Sequence, residues 1–119
     1  MSLNKVLLIG FVGADPEIRY FDENQGTASF SLALHRPAFR TKAGKVVPEQ
    51  VDWVRITCRG ETTRFAEQYV RKGSRLLVEG RLATRTYADK QGVSHTLTEV
   101  IAERLSFVDY KTNSEKATP

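Results

Sequence analysis

A single helical stripe interrupts a chain otherwise patterned for strands, and its position constrains the fold more than any other feature. Within residues 62–72, Phe65, Ala66, Tyr69 and Val70 recur at i, i+1, i+4 and i+5, one face of an α-helix. Thr62 or Thr63 can cap its start, and Arg71 and Lys72 suit the negative end of the dipole just before Gly73. Everything around it reads as strand. Residues 5–12 are almost continuously apolar and too short for a good helix, which predicts a buried strand. Gly13-Ala14-Asp15-Pro16 breaks that strand, residues 17–21 resume it after a bend, and Asp22-Glu23-Asn24-Gln25-Gly26 is turn chemistry. From residue 27 to 35 the alternation is clean, with Ala28, Phe30, Leu32 and Leu34 inward and Ser29, Ser31 and His35 outward. Residues 36–50 are polar and basic, a long loop or a projecting hairpin, and a third strand follows at 51–59. After the helix, Leu76, Val78 and Leu82 open a fourth strand. Asp89-Lys90-Gln91-Gly92 is a turn, and residues 94–108 form a last strand whose mixed parity calls for a bulge.

Five strands with one helix between the third and fourth is the layout of an all-β OB-fold, a five-stranded Greek-key barrel. A β-sandwich would need about seven strands and no helix. At 119 residues the chain makes one domain, here residues 1–109, followed by a short polar tail over 110–119.

The only tryptophan sits on the polar side of its strand. In Val51-Asp52-Trp53-Val54-Arg55-Ile56-Thr57-Cys58-Arg59, positions 54, 56 and 58 are apolar, while Trp53 shares its parity with Arg55, Thr57 and Arg59. A flat π-surface beside fixed positive charge suits a nucleobase and its phosphate. The alternative is a ring covering the edge of the core, with arginines that are simply solvated. Two further segments repeat the pattern. Arg81, Arg85 and Tyr87 share one parity opposite Leu76, Val78 and Leu82, provided no bulge at Gly80 shifts the register; Phe39 lies among Arg36, Arg40, Lys42 and Lys45 in the basic loop. Charge follows the same partition. Residues 1–35 hold two bases against four acids, residues 36–90 thirteen against six, and residues 91–119 three against four. The formal net charge of +4 is therefore concentrated in the middle, which favours a polyanion over a uniformly basic surface.

Other function classes find little support. His35 and His95 lie in separate strands with no neighbouring acid in sequence, and one cysteine with two histidines gives no zinc-ligand spacing. No GxxxxGK[ST] loop is present, so no catalytic residue, metal or cofactor is expected. A lone Cys58 permits no intrachain disulfide, the start Met-Ser-Leu-Asn-Lys lacks signal-peptide character, and no apolar run approaches the ~20 residues that span a bilayer. A cytoplasmic protein with no membrane partner is expected.

Asn4-Lys5-Val6, Asp15-Pro16-Glu17-Ile18-Arg19-Tyr20, Arg71-Lys72-Gly73-Ser74, Glu79-Gly80-Arg81-Leu82 and Thr98-Glu99-Val100 together resemble the bacterial single-stranded DNA-binding proteins, colinearly over residues 3–108. The resemblance implies an OB-fold, assembled as a homotetramer and associated with the nucleoid, that wraps single-stranded DNA in replication, recombination and repair. Three of the family's four stacking positions fall on Phe39, Trp53 and Tyr87. The fourth falls on Arg59, where an aromatic is usual; a guanidinium can stack there and also meet a phosphate. Arg55, Lys42, Lys72 and Arg85 match basic positions of backbone contact, and Arg36, Arg40 and Arg81 join them as phosphate candidates. Family members continue to an acidic tip that recruits replication and repair proteins. Residues 110–119 carry none, so the chain is either truncated or a tail-less variant, and recruitment of such partners is left open. The second reading, from a different class, is an adaptor like the primosomal OB-fold proteins, which act mainly through protein partners.

Overall fold

Alternation in two segments builds the wall on which the rest of the molecule is assembled. The computed structural model describes residues 1–23 and 25–108, so the expected polar tail lies outside the described residues. Strand β3 (Gly26–Arg36) runs antiparallel to β6 (Gln50–Arg59) along their full lengths, from Thr27 opposite Arg59 to Arg36 opposite Gln50. Their inward positions, Ala28, Phe30, Leu32, Ile56 and Cys58, are all buried. Between them a small ribbon, β4 (Phe39–Arg40) with β5 (Val46–Val47), projects from the basic segment, which is therefore a hairpin.

Strand β1 (Val6–Val12) pairs with β7 (Arg75–Ala88) on one side and with β3 on the other, through Phe11–Ala33 and Val12–Leu32. Strand β8 (Ser94–Phe107) pairs antiparallel with β7 and, in parallel, with β6 through Ile56–Val100 and Thr57–Ile101. The ring β1-β7-β8-β6-β3 thereby closes on itself. This five-stranded barrel is the OB-fold. The short β2 (Glu17–Tyr20) adds outside the ring, against β3.

The bulge expected in the last strand is present, and it explains the mixed parity. Glu79 faces Arg104 but Gly80 faces Ala102, leaving Glu103 as the extra residue. Core positions in β8 therefore pass from Val100 and Ala102 to Leu105. Gly80 is needed there, because a Cβ would run into the carbonyl oxygen of Ile101. Strand β7 keeps its own parity through the bulge.

Helix α1 (Glu61–Tyr69) rests on β3, β6 and β8. It is shorter than the sequence pattern predicts, because Val70 is already extended and Arg71 and Lys72 lie beyond it. Neither threonine caps it: Gly60 is the N-cap, Thr62 bonds back to the backbone of Arg59, and Thr63 is buried and donates to the Gly26 carbonyl. Arg71 still serves the expected end, its guanidinium donating to the carbonyls of Glu67 and Val70. Of the stripe, Ala66 and Val70 are fully buried and Phe65 partly, while Tyr69 is exposed. Sealing Val70 into the core stabilises the fold by about 1.5–3 kcal/mol.

Two apolar expectations are corrected. Leu82 is exposed, since the inner side of β7 is core only as far as Gly80; beyond it β7 and β8 run on as a paired arm. In β1 only one side is inward: Leu7, Ile9 and Phe11 form an exposed apolar strip on the barrel's exterior.

Candidate nucleic-acid interface

The outward parity of β6 places Trp53, Arg55, Thr57 and Arg59 in one row. Their partners across on β3 are Ala33, Ser31, Ser29 and Thr27, all small, so nothing bulky crowds the row from that side. From the other side β8 contributes Glu99 and β7 contributes Arg85. The result is an open hollow of about 450 Å³, bounded by Arg19, Phe21 and Thr27 at one end and by Arg55, Arg85 and Glu99 at the other.

Glu99 forms the floor. Its side chain is 2% exposed, yet it lies beneath two guanidinium groups. Thr57 Oγ1 donates to Oε1, Arg85 Nε donates to Oε2 at 3.0 Å, and Arg55 Nε stands 3.7 Å from Oε1. Burial pushes the carboxyl's pKa up, but the bonds from Thr57 and Arg85 and the two positive charges outweigh it, leaving Glu99 below the ordinary glutamate value. The carboxylate thus fixes the direction of two arginines whose outer faces remain in water.

Trp53 is 61% exposed, and Gly13 makes room for its ring. A Cβ at Gly13 would stand 2.5 Å from Cζ3 and 3.0 Å from Cη2 of the indole, so the ring's six-membered edge rests against the glycine. Gly13 is itself anchored by its N–H to the Ser31 carbonyl. At that same corner, following β1, Asp15 accepts the backbone N–H of Lys72. Tyr87, 47% exposed, stacks on His95 with centroids 5.4 Å apart and 26° between planes. His95 in turn bonds Asp89 at 2.7 Å, so the acid missing in sequence is supplied across the β7–β8 turn. His35 likewise approaches Glu49 at 3.5 Å. Phe39 is 58% exposed on the projecting hairpin, with Arg40 beside it and Lys42 at the tip. Arg36, at the hairpin's root, holds Asp52 through Nε at 3.0 Å and Nη2 at 3.2 Å. That pair is solvated, worth at most about 1 kcal/mol, and can exchange for a phosphate at little cost.

Arg55, Arg59, Arg85 and Trp53 therefore share one face, with Phe39, Arg40 and Lys42 on an arm and Tyr87 on a second. Arg81 and Lys72 are exposed but do not line the hollow. Sequence reasoning overlooked Glu99 and Phe21. An acid followed by Val100 and Ile101 in a strand is a usable signal for the first. For the second, the only signal is an aromatic abutting a turn. Among the described residues, no group of three or more His, Cys, Asp or Glu side chains is placed to hold a metal ion, and no helix is long and apolar enough to cross a membrane.

An OB barrel with arginines and exposed aromatics on one open face defines an oligonucleotide-binding class of protein. More specifically, residues 3–108 match the single-strand binding protein family, and the chain belongs to that family. It is 35% identical over 111 residues to a single-stranded DNA-binding protein of Bacteroides thetaiotaomicron, covering 93% of this chain and 69% of that one. Identity to the single-stranded DNA-binding protein of Neisseria meningitidis serogroup A is 33% over 119 residues, 100% of this chain and 67% of the relative. The Plasmodium falciparum SSB, solved in complex with ssDNA, superposes with a TM-score of 0.81 at 32% identity, covering 92% of this chain and 97% of the other.

Proposed function

We propose that the protein binds single-stranded DNA with little regard to sequence, protecting exposed strands in replication, recombination and repair, in the cytoplasm at the nucleoid. Phe39, Trp53 and Tyr87 act as stacking platforms, each worth about 1–3 kcal/mol per base. Arg59 offers its guanidinium plane to a base and also meets a phosphate, Arg55 and Arg85 meet phosphates in the groove, and Arg36, Arg40, Lys42, Lys72 and Arg81 extend the basic track around it. The observation that carries this reading is the exposed indole of Trp53, laid against Gly13 in the same row as Arg55 and Arg59. In a duplex the base faces are already stacked, so such a row selects single strands. The Plasmodium neighbour's bound ssDNA supports the choice of ligand.

The protein acts as a binder rather than a catalyst, and self-assembles into a homotetramer. The outward strip of Leu7, Ile9 and Phe11 supports assembly, because contiguous exposed apolar side chains on a barrel exterior favour burial against a second surface. Titration of Trp53 fluorescence with oligo(dT) at two salt concentrations tests the DNA reading. Strong quenching and weaker binding at high salt are expected, with a slope of at least about −2 if three groove arginines each replace counterions. Tight binding with unchanged emission would remove Trp53 from the site. Light scattering of the same sample reads the oligomeric state.

A further inference from the structure

We propose that Phe21 supplies an aromatic face to the base subsite that the family resemblance implies at Arg59, so that this subsite is built from two residues, apart from the platforms at Phe39, Trp53 and Tyr87. The proposal rests on the single-stranded DNA reading above and specifies where an additional base is held. Phe21 is 74% exposed, more than any other aromatic among the described residues. It is not on a loose end: its N–H donates to the Gln25 carbonyl at 2.8 Å, and the Gln25 N–H donates to Asp22 Oδ1 at 3.0 Å, closing the turn between β2 and β3. The Phe21 N–H is thereby held, while the ring has no share in the core.

What the ring does face is open space of the right kind. Two adjoining hollows of about 450 Å³ each meet at Phe21, Thr27 and Arg59. One is the groove over Glu99; the other ends on Gly26 and Gly60, which carry no side chains of their own. Both volumes fall within the range of small-ligand sites. Arg59 differs from its neighbours in this groove. Arg55 and Arg85 are tied to Glu99 and Arg19 is tied to Glu17, whereas the Arg59 guanidinium makes no hydrogen bond or ion pair among the described residues. A phenyl face and an uncommitted planar cation, both lining one hollow, suit a planar base and its phosphate. Trp53 lies six residues away along β6, roughly 20 Å, so the two subsites hold different bases of one strand. An arginine alone at position 59 would leave this end of the groove without an aromatic; Phe21 supplies one from the turn that follows β2.

Phe21→Ala is compared with the parent on oligo(dT) and on an abasic strand of equal length, with Trp53 emission as a second readout. The expected result is a loss of about 5- to 150-fold on oligo(dT), one stacked base's worth, with abasic binding unchanged. In a Trp53→Phe background, Phe21→Trp is expected to give emission that oligo(dT) quenches. Unchanged oligo(dT) affinity in Phe21→Ala with Trp53 quenching intact overturns the subsite and leaves the general reading standing. An equal loss on the abasic strand overturns it too, since the residue would then act without a base. Failure of the parent itself to bind oligo(dT) overturns both.

Discussion

Adding one methyl group at Gly13 should weaken DNA binding without touching DNA. The new Cβ would lie 2.5 Å from Cζ3 of Trp53, whereas carbon atoms rest about 3.5–4.0 Å apart, so the indole must retreat by about 1 Å. It can do so, because the ring is mostly in water and has no core partner to strain. Gly13 does not have a positive φ, so alanine fits its backbone and can even stabilise the fold by about 0.4–1 kcal/mol through the unfolded state. The cost therefore falls on binding, bounded above by one lost stack of about 1–3 kcal/mol, or 5- to 150-fold in Kd. Fluorescence anisotropy with labelled oligo(dT) measures it in four proteins: parent, Gly13→Ala, Trp53→Ala and the double variant. Because Gly13 acts only through the ring, its substitution should cost nothing once Trp53 is alanine. An equal penalty in both backgrounds would refute the reasoning.

Two other outcomes follow from the groove floor and the core. Glu99→Gln should lower stability by roughly 1–3 kcal/mol, nearer the lower figure because Arg55 and Arg85 keep water. Since the folded-state pKa of Glu99 is depressed, its contribution is complete above the ordinary glutamate value of about 4.3 and is lost as pH falls through the lower folded value. Urea midpoints of parent and variant should then converge only in acid; a gap that persists unchanged to pH of about 2 would contradict the assignment. Burial pushes the Cys58 thiol up to about 12, outweighing a lowering hydrogen bond with Thr62. A thiol reagent should consume Cys58 no faster than the protein unfolds, and rapid stoichiometric labelling of the native state would place the thiol outside the core.

Much of the architecture could be read in advance because strand parity is a local property. Ala28, Phe30, Leu32, Ile56 and Cys58 needed nothing beyond their own neighbours to be assigned inward, and Trp53 was visible by the same rule. Features that depend on partners far along the chain were not legible. Glu99 owes its burial and direction to Thr57 and Arg85, 42 and 14 residues away, so no window around it shows a groove floor. Leu82 has the right parity for the core but stands past the point where the barrel ends, and parity carries no information about length. Residues 5–12 read as wholly buried because an unbroken apolar run does not reveal which of its two sides faces inward. Counting charges shows the basic middle segment, but Arg36, Arg55 and Arg85 are held by acids, a commitment that a count cannot reveal.

Strands β6 and β8 meet in parallel over a stretch as short as Ile56–Val100 and Thr57–Ile101, and this is the seam at which the first and last parts of the chain zip the barrel shut. Thr57 and Glu99, whose side chains join across it, are also the floor of the groove. A ligand strand lying there rests directly over the zipper. Occupancy then resists opening of the barrel by mass action, and the seam becomes hardest to open when the protein is in use. By the same linkage, the seam of a nucleic-acid-free molecule lacks that added resistance to opening.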